Sequence, residues 1–127
     1  MAEFVWPVRV YYEDTDAGGV VFYVNYLKFM ERARTEWLRA AGVEQDKLLA
    51  DSGLLFVIVE VNVRYHKPAR FNDLLDVTVV PVDRGRSRFT VRQEVRRGAE
   101  LLVSGTVSAA CIDAATFKPQ PIPRGMP

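Results

Sequence analysis

Two hydrophobic periods divide the chain. Between Tyr23 and Ala41 apolar residues return every three or four positions, at Tyr26, Leu27, Met30, Trp37, Leu38 and Ala41, the spacing that gathers one face of an α-helix. From Leu54 onward the period falls to two. LLFVIVEVNVRYH puts Leu55, Val57, Val59, Val61, Val63 and Tyr65 on one side of an extended chain. LLDVTVVPV does the same with Leu75, Val77 and Val79, and RFTVRQEVRR with Phe89, Val91, Gln93 and Val95. A last run, ELLVSGTVSAACID, carries small residues at Ser104, Gly105, Ser108, Ala109 and Ala110 that permit close approach of another element, for which the long helix is the natural candidate. Turn-forming residues separate the runs: Pro68 and RFND, then DRGRS, then a hairpin turn centred on Gly98. Pro81 has no N–H to give to a ladder and marks a bulge or an edge.

Ahead of the helix, Val8, Val10 and Tyr12 alternate with Arg9, Tyr11 and Glu13, which predicts a half-buried strand beginning after Pro7. Gly42 is placed to cap the helix C-terminus, and residues 43–53 form a short helix or loop ending at Ser52 and Gly53. The tail FKPQPIPRGMP has four prolines in eleven residues, so residues 114–127 are expected as extended surface chain. One strand, one long helix and four more strands joined by short turns predict an α+β domain over residues 1–127, an antiparallel sheet of about five strands around a single helix. One helix covers one face only. The other face or an edge is therefore expected to meet a second subunit, in a homodimer or a homotetramer.

Composition narrows the function classes. Lys and Arg number 17 against 16 Asp and Glu, a net charge of +1 that gives no global pull toward nucleic acid or a membrane surface. The single cysteine, Cys111, excludes an intrachain disulfide, and with one histidine, His66, a zinc site built mainly of Cys and His is out of reach. The amino terminus lacks a basic region followed by an apolar core, and no segment is long enough to cross a bilayer as a helix. A cytoplasmic, reduced setting is expected.

Candidate chemistry gathers where the first strand meets the helix. YYEDTDAGG holds Glu13, Asp14 and Asp16 followed by Gly18 and Gly19, and the helix points its unpaired N–H groups and partial positive charge back at these carboxylates. Asp before a helix most often caps it or holds a turn, so Asp16 is open to both a structural and a catalytic role, while Asp14 suits the turn. Arg34 falls in the middle of the apolar face and must find an acceptor or reach water along its stem, with Glu31 one turn earlier as the nearest partner, which leaves both a structural clamp and a substrate contact open. Arg84, Arg86 and Arg88 are spaced by two in a turn entering a strand, either a local cationic cluster or a solvated hairpin. No GxSxG elbow accompanies His66, so a Ser-His-Asp hydrolase does not compete.

The stretch VRVYYEDTDAGGVVFYVNYLKFMERARTEWL, supported by VRYHKPARFNDLLDV, resembles the hotdog-fold acyl-CoA thioesterases, in particular the 4-hydroxybenzoyl-CoA thioesterase-like group that includes the Tol-Pal-associated acyl-CoA thioesterases. The resemblance implies hydrolysis of an acyl-CoA thioester without metal or redox cofactor, coenzyme A entering only as part of the substrate. It implies Asp16 as nucleophile or general base, and the backbone N–H of Tyr23 as the group that polarises the carbonyl. Gly19 matches the glycine that turns the chain toward the helix. Basic residues in the region of Arg84, Arg86 and Arg88 hold coenzyme A phosphates in the family, with Lys67 and Arg70 as weaker candidates. Many Tol-Pal-type members have histidine where this chain has Tyr23, whereas aromatic-acyl thioesterases of the group tend to have tyrosine, so an imidazole mechanism does not carry over. Two other classes compete: a hotdog hydratase or dehydratase, which would want a histidine on the helix, and a non-catalytic module binding acyl-CoA or a protein.

Overall fold

The structure, a computed structural model, describes residues 3–127. Strands β1 (Phe4–Arg9), β2 (Leu54–Tyr65), β3 (Leu74–Arg84), β4 (Arg88–Arg97) and β5 (Glu100–Asp113) form one antiparallel five-stranded sheet in the order β1-β3-β4-β5-β2. The long helix α1 (Tyr23–Ala40) lies over β1, β3 and β4, and a short helix α2 (Gln45–Ser52) feeds β2. This is the α+β arrangement that the two periods predict.

The buried stripe of α1 is Tyr26, Phe29, Met30, Ala33, Trp37 and Leu38, joined at the start by Asn25. Phe29 and Ala33 thus replace Ala41, which is exposed, because the face pressed on the sheet is turned slightly from the one the spacing suggests. Each large side chain buried there contributes roughly 1.5–3 kcal/mol. The helix closes as a Schellman motif. Gly42 takes φ 87°, its N–H donates to Arg39 O (3.0 Å), and Val43 N–H donates to Leu38 O (2.9 Å). Across from α1, the predicted rows Leu75, Val77, Val79 and Phe89, Val91, Gln93, Val95 are all buried.

Gln93 is the polar member of that row, and it sets the partner of Arg34. Its side-chain N–H₂ donates to Met30 O (3.0 Å) and its oxygen accepts from Arg34 Nη1 (2.9 Å), while Glu31 instead accepts the Thr35 hydroxyl (2.9 Å). The expected Glu31–Arg34 contact is therefore replaced by a helix-to-sheet link. Burial lowers the pKa of the Arg34 guanidinium, against the opposing pull of the Glu31 charge.

Several local expectations are corrected. β1 starts at Phe4 and includes Pro7, whose missing N–H an edge strand tolerates because it has a side that pairs with no other strand among the described residues. It ends at Arg9, and Tyr12 opens a single 3-10 turn (Tyr12–Asp14) with its ring in solvent. In β2 a bulge between Ile58 and Glu60 reverses the alternation, so Leu54 and Phe56 pack on the core before it and Val63 after it, and the predicted odd-numbered row is split between faces. A Cβ on Gly105 would lie 2.3 Å from Asn62 O, so the small residue serves the approach of β2 rather than of α1. Pro81 does mark a bulge, between Pro81 and Asp83. Residues 114–127 carry no helix or strand, yet they are seated: Gln120 N–H donates to Cys111 O, Ile122 N–H to Arg86 O, and Ile122 and Met126 are buried. Among the described residues no helix is long and apolar enough to cross a membrane.

Candidate active site

The acidic segment is a tight loop folded back on the start of α1. Asp16 N–H donates to Val20 O (2.9 Å), Gly19 N–H to Asp16 O (3.0 Å), and Thr15 pairs with Val21, which returns the chain to the helix. Gly19 takes φ 79°, a left-handed conformation that a side chain resists, so the turn needs glycine there. Asp14 is buried and structural. Its carboxylate accepts Tyr11 N–H (2.8 Å), and its carbonyl accepts both Phe22 N–H (2.9 Å) and the Asn25 side chain (2.9 Å). That clasp ties the loop to the first helical turn.

Asp16 is exposed, and its Oδ1 accepts the Gly18 N–H at 2.8 Å, while among the described residues its second oxygen has no partner. One oxygen is fixed and the other is free. A Cβ on Gly18 would come within 3.2 Å of Asp16 Oδ1, so the bare backbone at Gly18 leaves room for the carboxylate to fold onto it. The D-x-G spacing carries that signal in the sequence.

Among the described residues no side chain caps α1. Phe22 N–H is spent on Asp14 O and Asn25 N–H on Phe22 O, which leaves the amides of Tyr23 and Val24 as the free donors at the positive end of the helix. The Tyr23 side chain is 60% exposed and meets Tyr65 edge-on, with ring centroids 6.1 Å apart. Tyr65 in turn donates its hydroxyl to Tyr23 O (3.2 Å). The Tyr26 hydroxyl oxygen accepts Ala69 N–H (2.9 Å), and burial raises the pKa of its phenol. Val21, Tyr23, Tyr26, Tyr65, His66, Lys67 and Pro68 line an open, mainly apolar cleft of about 270 Å³ against this helix start. Tyr65 and Tyr26 were missed by sequence reasoning because a strand and a helix interior gave no hint that they meet.

The remaining sequence candidates divide. His66 reaches the cleft but its Nε2 is 2.8 Å from Ser104 Oγ, and Lys67 pairs with Glu100 at 3.1 Å. The Arg70 backbone N–H donates to Asp73. Arg84, Arg86 and Arg88 sit on one hairpin without forming one cluster. Arg84 pairs in register with Phe89, which puts it on the α1 side, where Nη1 donates to Met126 O (3.2 Å). Arg88, one residue before Phe89, belongs to the opposite face, and Arg86 lies in the turn between. Among the described residues the guanidinium groups of Arg86 and Arg88 have no partner.

A five-stranded antiparallel sheet around one helix, with a carboxylate loop and an open helix start at its rim, defines a hotdog-type hydrolase, and comparison with known proteins gives the same class. The chain matches the thioesterase superfamily over residues 18–104, and it belongs to that family. Acyl-CoA thioester hydrolase YbgC of Escherichia coli O157:H7 is 42% identical over 124 residues, covering 97% of this chain and 92% of the relative. The 1,4-dihydroxy-2-naphthoyl-CoA hydrolase of Thermosynechococcus vestitus is 31% identical over 119 residues, covering 93% and 82%. Among solved structures, a probable thioesterase from Bartonella henselae superposes with a TM-score of 0.91 at 33% identity, covering 96% of this chain and all of that one. The protein is thus a thioester hydrolase with the hotdog fold. The family match begins two residues after Asp16, so the role of that carboxylate has to be argued from its surroundings.

Proposed function

We propose that this protein is an acyl-CoA thioesterase in which Asp16 carries the chemistry and the amide of Tyr23 polarises the thioester carbonyl. The observation that supports it most is the pairing of a half-fixed, half-free carboxylate with unspent N–H groups at a helix start, joined by the Thr15–Val21 bridge. As the carbonyl carbon becomes tetrahedral its oxygen gains negative charge, and donors fixed in advance stabilise that charge at no cost of reorganisation. Asp16 can attack the carbonyl carbon, expelling the coenzyme A thiolate and leaving a mixed anhydride that water then opens. Alternatively it takes a proton from a water that attacks directly. Either route consumes one water and yields a carboxylic acid and free coenzyme A.

The acyl group enters the tyrosine-lined cleft beside Tyr23, whose volume and apolar walls suit a compact or aromatic acyl chain better than a long one. Arg86 and Arg88 hold the coenzyme A phosphates, while Arg84, on the α1 side, is engaged with the tail through Met126 O. The active form is at least a homodimer joined through β2. That strand pairs on one side only, and Ile58 and Val61 are 48% and 44% exposed along it, an apolar edge of the sort that seeks a partner. The buried Cys111, its thiol pKa raised by burial, suits a reduced cytoplasm.

Free-thiol release from short aliphatic, long aliphatic and aromatic acyl-CoAs, comparing wild type with Asp16→Asn, tests the assignment. Turnover that survives the substitution overturns it. In a single turnover in ¹⁸O-water, label found in the Asp16 carboxylate identifies the anhydride route, whereas label found only in the product acid shows that water attacked the acyl carbon, an outcome shared by the direct route and by an anhydride opened on its acyl side.

A further inference from the structure

The loop between β2 and β3 is stitched to both flanks of the acidic turn. Val21 N–H donates to Ala69 O (2.9 Å), Val20 pairs with Arg70, Asn72 N–H donates to Val10 O (2.9 Å), and Val10 N–H donates to Asp73 O (2.9 Å). The outer side of this junction is closed by two rings. Tyr12 and Phe71 stack with centroids 3.8 Å apart and planes only 4° from parallel, although they remain 75% and 44% exposed. Exposure that large means the pair removes little surface from water, so its effect lies in geometry more than in burial.

Both rings are aimed by their own segments. Phe71 sits in a turn from Arg70 to Asp73, where Asp73 N–H donates to Arg70 O (3.1 Å) and Asn72 takes φ 72°. Asparagine is one of the few residues besides glycine that adopts this left-handed conformation, and such strain persists only where surrounding bonds enforce it. Here Asp73 does so, accepting Arg70 N–H (2.8 Å) and Arg97 Nη1 (2.7 Å) on one oxygen. On the other segment Tyr12 opens the 3-10 turn, and its carbonyl accepts both the N–H (3.0 Å) and the hydroxyl (2.7 Å) of Thr15. Thr15 is the residue next to Asp16. Fixing the Tyr12 ring therefore fixes the backbone that carries the carboxylate.

We propose that Phe71 is a positioning residue for the hydrolysis, its stack on Tyr12 holding the Asp16 turn in register with the free amides of the helix start. The inference rests on the reading of Asp16 as the reacting carboxylate. A displacement of about 1 Å at a reacting group costs up to roughly a hundredfold in rate, so a partial loosening of an exposed turn is enough to matter.

The test compares Phe71→Ala, Phe71→Tyr and Asp16→Asn with wild type, using the acyl-CoA that the wild-type enzyme hydrolyses best. Phe71→Ala is expected to lower kcat roughly tenfold with KM held within about twofold, and Phe71→Tyr, which keeps a stacking ring, to restore kcat. Hydrogen exchange at the Gly18 amide, the donor to Asp16, is expected to quicken in Phe71→Ala and not in Phe71→Tyr, a readout independent of turnover. Should Phe71→Ala fail to fold, Phe71→Leu keeps much of the volume without the stack and is expected to show the same loss. Wild-type kcat in the stack-free variant overturns the proposal, as does equal impairment of Phe71→Tyr. If Asp16→Asn is inactive and Phe71→Ala is not impaired, the positioning role alone fails. If Asp16→Asn keeps full activity, the catalytic assignment fails and this inference with it.

Discussion

The two ends of α1 are built to opposite specifications. At its C-terminus the helix is closed: Trp37 and Leu38 are buried, the last carbonyls are taken by Gly42 and Val43, and the Trp37 ring lies 6.1 Å from Phe89 of the sheet. At its N-terminus no side chain among the described residues caps it, Phe22 and Tyr23 face solvent, and the neighbouring carboxylate spends one oxygen on its own turn. Packing is concentrated at one end, and the chemistry proposed above lies at the other. The two are joined by a rigid rod about 27 Å long, taking ~1.5 Å of rise per residue over its 18 residues.

That division predicts which substitutions change activity and which change folding. Asp16→Asn should bring the largest effect, a loss of kcat of roughly 10²–10⁴-fold, with the thermal midpoint unchanged because the side chain is exposed and its turn tolerates the amide. Trp37→Ala, at the other end, should cost about 3–5 kcal/mol in urea unfolding while the remaining folded enzyme keeps its kcat. A reversal of those two outcomes would break the contrast. Gly42→Ala, at φ 87°, should cost roughly 1–2 kcal/mol with no kinetic change. The smallest effect is expected from Asp73→Asn. Burial raises the pKa of the Asp73 carboxyl, but bonds from Arg70 N–H and Arg97 outweigh it and hold the group below the usual range. Its stabilising contribution is therefore complete above the ordinary carboxylate value of about 3.9 and fades as pH falls through the depressed native value. Removing the charge should lower stability at neutral pH by that contribution and flatten the acid side of the stability profile, read as urea unfolding against pH.

The helix and the strands were legible because their apolar residues keep strict time. The row Leu75, Val77 and Val79 was read correctly to the residue. What the pattern hid were the places where a single residue breaks the count. Val59 is swallowed by a bulge, and every side chain after it changes face, although the string of alternating valines reads on without a seam. Arg34 looked toward Glu31 because sequence separation favours a neighbour one turn away, whereas the acceptor that binds it is Gln93, far along the chain and inside the sheet. Asp16, Gly19 and Tyr23 were visible as a cluster because one short segment supplies them all. Tyr65 and Phe71 were not, since their meaning depends on contacts with residues more than forty positions earlier.

The strand order has a consequence for how the chain is born. β2 is made early, but among the described residues its one neighbour in the sheet is β5, and β3 and β4 emerge between them. A nascent chain on the ribosome therefore carries a long valine-rich segment with nothing to pair with until the last strand appears. Contacts of that sequence separation are slow to form and leave the segment open to wrong partners meanwhile. The same edge that is proposed to meet a second subunit is thus a stretch left waiting for its partner strand until the end of the sheet is synthesised.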